Sequence, residues 1–201
     1  MAIVISGTAG TISGISTGGL PDGCVDADTL GTDSVTAAKL KSDAITTGDL
    51  PSGSVLQVVN GSTSTGVATT TTGTYIDTGI TATITPSSTS SKILVLVNIC
   101  GIWRNSGQSY NRMGIRILRG STAIGGAGSG NEALAQHWAG DTVDHRLAGA
   151  MYSTYDSPST TSATTYKVQF QAEVVSSGTG LAVQKDSNSG ESNIFLYEIA
   201  G

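Results

Sequence analysis

The side chains able to do chemistry gather in one stretch. His137 and His145 are the only two histidines, and Glu132, Trp138, Asp141 and Asp144 lie around and between them. Histidines eight positions apart with carboxylates between them could hold a divalent ion if the loop folded back. No HExxH, CxxC or closely spaced His pair accompanies them, and loop histidines bonded to their neighbours are the simpler expectation. Asp141 and Asp144 are near enough for paired-carboxylate sugar chemistry. Gly128-Ser129-Gly130 lacks the partners of a nucleophile elbow, and the run from 125 to 130 lacks the Lys-Ser/Thr ending of a phosphate loop. It reads as a plain loop. The expectation is therefore no catalytic residue, no metal site and no cofactor.

Recognition is what this stretch retains. An exposed indole can stack on the apolar C–H face of a sugar while neighbouring polar groups hold the hydroxyls. Trp138, flanked by His137, Asp141, Asp144 and His145, is thus the candidate glycan-binding loop; the competing reading is a Trp that anchors its own loop. Tyr110 and Tyr155 are weaker candidates. Trp103 closes a strongly apolar strand and is expected in the core or at a subunit contact.

The elements that must position these residues follow from composition. Gly, Ser and Thr together fill 81 of the 201 positions, and charged residues make up only 12%. Long amphipathic helices need Glu, Lys and Arg, so an all-helical protein is excluded. The net charge of −5 and the scattered Lys and Arg argue against a nucleic-acid partner. No apolar run reaches the ~20 residues that cross a bilayer, so membrane insertion is not expected. The opening MAIVIS has no positive flank and is too short for a signal peptide. Cys24 and Cys100 lie in unrelated segments, where a disulfide is not expected.

From Leu20 the chain repeats in tens: PDGCVDADTL, GTDSVTAAKL, KSDAITTGDL, then PSGSV. Leu20, Leu30, Leu40 and Leu50 alternate with Val25, Val35, Ile45 and Val55, one large aliphatic every five residues. The third position of each unit is Gly23, Asp33, Asp43 or Gly53. Thr36, followed by two Ala and Lys39, suggests a short helical turn with an N-cap; Asp28 and Thr46 offer similar starts. A five-residue spacing is neither a helix stripe nor a strand alternation. Two aliphatics worth ~1.5–3 kcal/mol each cannot offset the ordering of ten backbones at ~1–2 kcal/mol each. Identical chains in parallel could bring these side chains into shared layers. Association with its own kind is thus the expectation, and a flexible linker, the alternative, has no reason to keep Leu and Val in register.

These units resemble the V-T-x-A-K-[IL]…D-A-I-T-x-x-x-L decapeptides of bacteriophage tail-fibre and related virion fibre proteins. The resemblance implies a slender homotrimeric shaft whose axis carries Leu20, Val25, Leu30, Val35, Leu40, Ile45, Leu50 and Val55. It also implies an N-terminal segment that attaches to another virion protein, which the opening MAIVISGTAGTISG resembles. The number three comes from the resemblance; the spacing requires only association.

Beyond Val55 the texture is strands separated by Ser/Thr/Gly loops. Strands are expected at 55–60, 74–78, 79–85, 92–103, 112–119, 146–155, 164–175, 180–185 and 193–199. Residues 166–174 alternate strictly between apolar and polar. Residues 92–103 are apolar on both faces, as in a strand covered on both sides or facing a subunit contact, and residues 194–199 read likewise. Residues 120–144 break the rhythm, with a short helix or a long loop at 131–138. The expected fold is an all-β, jelly-roll-like sandwich head. The segment TGITATITPSSTSSKILVLVN and the closing ESNIFLYEIAG resemble parts of the C-terminal domains of phage tail and virion structural proteins. Phage depolymerases resemble much longer β-helical chains.

The chain is thus expected to be a virion fibre subunit: attachment segment 1–19, shaft 20–54 and head 55–201. It would be trimeric and non-catalytic, and its head would adhere to a host-surface glycan. The alternative is a capsid decoration, cement or head-fibre protein with a purely structural role.

Overall fold

The computed structural model describes residues 30–42, 44–104, 110–127, 135–138, 145–174, 180–185 and 190–201. The chain divides into two units, Met1–Thr46 and Thr47–Gly201.

Within the first unit the repeat makes local turns. Ser34 N–H donates to Gly31 O and Ala44 N–H to Lys41 O, at 3.0 Å each. Ser54 N–H to Pro51 O, in the second unit, is the same turn one repeat later. Asp33 and Gly53 have φ of 61° and 90°. In these two units the third position is therefore the left-handed turn position, which only Gly, Asn and Asp enter cheaply. Ala37–Lys39 and Thr47–Asp49 form 3-10 turns. Thr36 holds the expected N-cap place, but its side chain makes no capping hydrogen bond. Asp28 lies outside the described residues.

The second unit is all-β. Its strands are β1 (Val55–Thr63), β2 (Val67–Thr69), β3 (Ile76–Ile84), β4 (Lys92–Arg104), β5 (Tyr110–Arg119), β6 (Thr122–Ala127), β7 (Ala135–Trp138), β8 (His145–Asp156), β9 (Thr164–Val174), β10 (Leu181–Val183) and β11 (Ser192–Ile199). All their pairings are antiparallel. In sheet A, β4 pairs with β8 on one edge, and with β11 and then β10 on the other; β1 flanks β11 and β2 flanks β10. Sheet B runs β3-β9-β5, with β6 and β7 in turn on the outer edge of β5.

Both sheets contribute to one core, the arrangement of a β-sandwich. Ile93, Val95, Val97 and Ile194 of sheet A pack with Ile80, Ile115, Val168 and Phe170 of sheet B. The period-two pattern places these side chains: on β3 every second residue from Thr78 to Ile84 is buried. The stretches expected as two strands, 74–78 and 79–85, form one strand with an irregularity between Asp77 and Thr81. Gly79 lies there with φ 82°.

Glycines close the sandwich at its sides. A Cβ on Gly61 of β1 would run into the backbone carbonyl of Thr81 on β3. A Cβ on Gly126 of β6 would lie 2.6 Å from Ile115 O. Gly126 also exchanges hydrogen bonds with the Tyr152 hydroxyl of β8, at 3.0 and 3.2 Å. The run expected as a loop at 125–130 is therefore a strand through Ala127, glycine-rich because neighbouring backbone crowds it. The remainder of that run lies outside the described residues.

Candidate functional site

Of the eight aliphatics expected on a shared axis, Leu20 and Val25 lie outside the described residues. Leu30, Val35, Leu40, Ile45, Leu50 and Val55 are all exposed, with 39–60% of their surface accessible. Between residues 30 and 50 no described residue is buried. The turns satisfy backbone groups over spans of three residues and never bring successive aliphatics together. In its described part the repeat forms local turns and buries none of its side chains between residues 30 and 50.

The last partial unit is built into sheet A. Gly53 N–H donates to Ala200 O, and Ala200 N–H to Ser54 O, both at 2.8 Å. Ser52 Oγ also reaches Ala200 O, at 3.3 Å. The ladder between β1 and β11 thus continues past both strands into the last partial unit, and the second compact unit runs from Thr47.

The candidate glycan-binding residues are partly placed. His137 and Trp138 stand on β7 opposite Asn111 and Tyr110 of β5. His145 opens β8 opposite Arg104 of β4. Residues 104 and 110 are the end of β4 and the start of β5, so these backbones share one end of the sandwich, while His137 and His145 belong to different sheets. Asp141 and Asp144 lie outside the described residues. The helix or loop expected at 131–138 is corrected: residues 135–138 are a strand, because β5 extends beyond β6 and offers open backbone groups that outweigh weak helix propensity. Tyr155 lies away from this end, on the outer side of sheet A opposite Leu94. Trp103 is half-buried.

Two carboxylates are buried among hydrogen-bond donors. Glu198 of β11 has no exposed surface. Its Oε1 accepts from Ser87 N–H, Ser87 Oγ and Ser91 Oγ, and its Oε2 from Gln57 Nε2, at 2.6–2.7 Å. Burial pushes this carboxyl up, and the bonds from Ser91, Gln57 and Ser87 together pull it further down, to below its ordinary value. Asp156, at the end of β8, takes both its oxygens to Arg119 Nη1 at 2.8 and 2.9 Å and accepts from the Tyr166 hydroxyl at 2.7 Å. Burial, then the Asp156 hydrogen bond and charge, push the Tyr166 phenol well above its ordinary value. Every acceptor here is committed to the fold, which makes both clusters staples between elements rather than reactive groups.

Sequence reasoning did not single out these residues, though a signal was present. Glu198 is in phase with Ile194 and Leu196, and Asp156 with Tyr152; a charge at a core-facing strand position must find partners. Among the described residues no group of three or more His, Cys, Asp or Glu could hold a metal ion. Cys100 carries a free thiol.

The outer face of sheet A has an unusual character. Pairing aligns Val58, Tyr197, Leu94 and Tyr155 in one row across β1, β11, β4 and β8. The next row holds Phe195 and Leu96, and Met151 stands beyond it on β8. Val58, Tyr155 and Met151 remain 52%, 58% and 74% exposed. The strands expected to be apolar on both faces are covered on one only, by sheet B; among the described residues nothing covers the other.

The site and fold together define an all-β domain of two antiparallel sheets joined to a repeat whose aliphatics face solvent. No protein-family model matches the chain, and no curated protein matches it significantly.

Proposed function

We propose that the chain is the subunit of a homotrimeric virion fibre, non-catalytic, with its repeat as the shaft and its β-domain as the head. The observation that carries this reading is the exposure of all six described repeat aliphatics in a segment without a core. A chain that orders its backbone and leaves every fifth aliphatic in water needs partners with the same spacing, and identical copies in parallel supply it. The trimeric number, the virion setting and the attachment role of residues 1–19 rest on the resemblance of the decapeptides to virion fibre repeats.

The head is read as a jelly roll. Strand order β1-β11-β4-β8 facing β3-β9-β5-β6 alternates between the sheets as two interleaved Greek keys do. Adhesion to a host-surface glycan is supported by the polarity of this domain. The repeat joins at Val55, beside the start of β4, while Trp138 and His145 lie at the far end of β4, whose thirteen residues span roughly 40 Å at ~3.3 Å per residue. Three such sites on one trimer raise avidity without any tight single site.

Sedimentation equilibrium of the full chain tests the assembly, and a species of three times the 20.2 kDa chain mass is expected. A folded monomer at micromolar concentration overturns the reading. Incubation with host surface polysaccharide tests the head: retained, intact polymer is expected, and shortened polymer would make the protein a hydrolase.

A further inference from the structure

We infer that the outer face of sheet A is a second copy-to-copy interface, through which the β-domains pack on one another; this rests on the assembly proposed above. Continuity is the first ground. Pairing sets Val55 opposite Ile199 and Gln57 opposite Glu198, with an irregularity between them. Two residues, Leu56 and Gln57, therefore stand against one on β11, so Val55 and Val58 share the outward side. Val55 closes the five-residue series of the repeat, and Val58 opens the row that crosses sheet A. Val55, the last aliphatic of the series, thus stands on the same exposed side as the apolar face of its own domain.

Charge is the second ground. Over Lys92–Cys100 of β4 and the residues paired with it on β8 and, through β11, on β1, the outward positions carry Val, Leu, Ile, Phe, Tyr, Met, Asn, Ser, Gly, one Cys and one Lys. The one charged residue among them is Lys92, at the margin, whose Nζ is held by Ser157 Oγ at 3.0 Å. A patch near a rotation axis meets copies of itself, so it must not repel itself, and an uncharged face satisfies that condition.

Area is the third. Four strands ~4.8 Å apart and roughly eight residues long give a footprint of roughly 500 Å². A standard interface takes about 800 Å² per partner. The face alone falls short of that and the coreless repeat supplies the rest, so the occupant of one surface is also the occupant of the other.

Met151 provides the test on the wild-type protein. It is 74% exposed in the single chain, whereas Met113 is fully buried and reports unfolding. In the assembled protein, hydrogen peroxide should oxidise Met151 at least tenfold more slowly than it does a free methionine, as read by peptide mass spectrometry. A full-chain V58K/Y155K variant should retain its far-ultraviolet β signal and shift its assembly midpoint at least tenfold to higher concentration. A trimer in which Met151 oxidises at the free rate overturns this inference and leaves the repeat-driven assembly standing. An unchanged midpoint in a folded variant does the same. A monomeric wild type overturns both, and points to another occupant of the face.

Discussion

Ser87 holds Glu198 twice: its backbone N–H and its hydroxyl both donate to Oε1, each at 2.7 Å, across 111 residues of sequence. Ser87 belongs to the turn between β3 and β4, and Glu198 to the last strand. The Pro-Ser-Ser-Thr-Ser-Ser segment and the closing ESNIFLYEIAG, two stretches that read as separate motifs, are therefore one structure. The serines are there because a buried carboxylate needs short donors on a turn tight enough to surround it.

Replacing Glu198 by Leu should destabilise the β-domain by about 2 kcal/mol, since the buried Ser91 hydroxyl would lose its acceptor and the donors of Ser87 and Gln57 would lose the carboxylate they share. Urea melts at neutral pH check this. A loss under 1 kcal/mol would mean that water takes over the acceptor role.

Acid should act through the same group. The folded Glu198 carboxyl titrates below its ordinary value despite burial, because its hydrogen bonds outweigh desolvation. Asp77 also lies below its ordinary value: the Gln169 bond lowers it most, burial opposes, and Lys167 and Arg116 lower it further. Groups lowered in the folded state contribute stability that is complete above their unfolded values, near 4. That contribution is lost as pH falls through their folded values. The melting temperature should therefore fall below about pH 4, and E198Q should shallow this acid limb.

The Arg119–Asp156–Tyr166 cluster ties β8 of sheet A to β5 and β9 of sheet B. Arg119→Met leaves Asp156 buried with only the Tyr166 hydroxyl and should cost about 3 kcal/mol. Tyr166→Phe leaves the ion pair intact and should cost about 1 kcal/mol. Because the folded phenol titrates above its ordinary value, its contribution is complete below about pH 10 and is lost as pH rises through the folded value. Y166F should lose that alkaline decline in stability.

Val35→Ser with Leu40→Ser should weaken assembly, read as a loss of trimer mass on dilution, while leaving thermal unfolding of a dissociated chain within about 0.5 kcal/mol of the parent. Both side chains are exposed in the single chain, so their removal opens no cavity. A large loss of monomer stability would place them in an intramolecular core.

Gln184 combines φ of 48° with a side chain whose Nε2 and Oε1 are both buried and unpartnered. Gln184→Met keeps the shape and removes two unsatisfied groups, so it should stabilise the domain by about 1 kcal/mol. Destabilisation instead would indicate a bound water that the amide holds.

The strands of the core were legible from alternation alone. In β9, Tyr166, Val168, Phe170 and Ala172 alternate with polar residues, and all four are buried. The third position of the repeat carried a signal that the sequence reading left unused: Gly and Asp are residues a left-handed turn admits, and Asp33 and Gly53 adopt it. Three strands were not legible. Val67–Thr69 and Ala135–Trp138 are short, and Thr122–Ala127 is glycine-rich. Val67–Thr69 and Ala135–Trp138 owe their conformation to open edges of strands further along or back in the chain, which no local pattern records, whereas Thr122–Ala127 pairs with β5 across the turn at Gly120-Ser121.

Local spacing, then, marked the apolar side chains and how often they recur: alternation marks the core-facing side of strands such as β3 and β9, and the five-residue period marks aliphatics that stand exposed in the single chain. Tertiary structure decided which surfaces remain unmet. The sheet pairing turned β4 and β11, apolar on both sides in sequence, into strands with one face in the core and one toward solvent. It also set Glu198 within reach of Ser87 and aligned Val55 with Val58. Those outcomes depend on register between residues more than a hundred positions apart, and register is settled by long-range pairing rather than by neighbours along the chain.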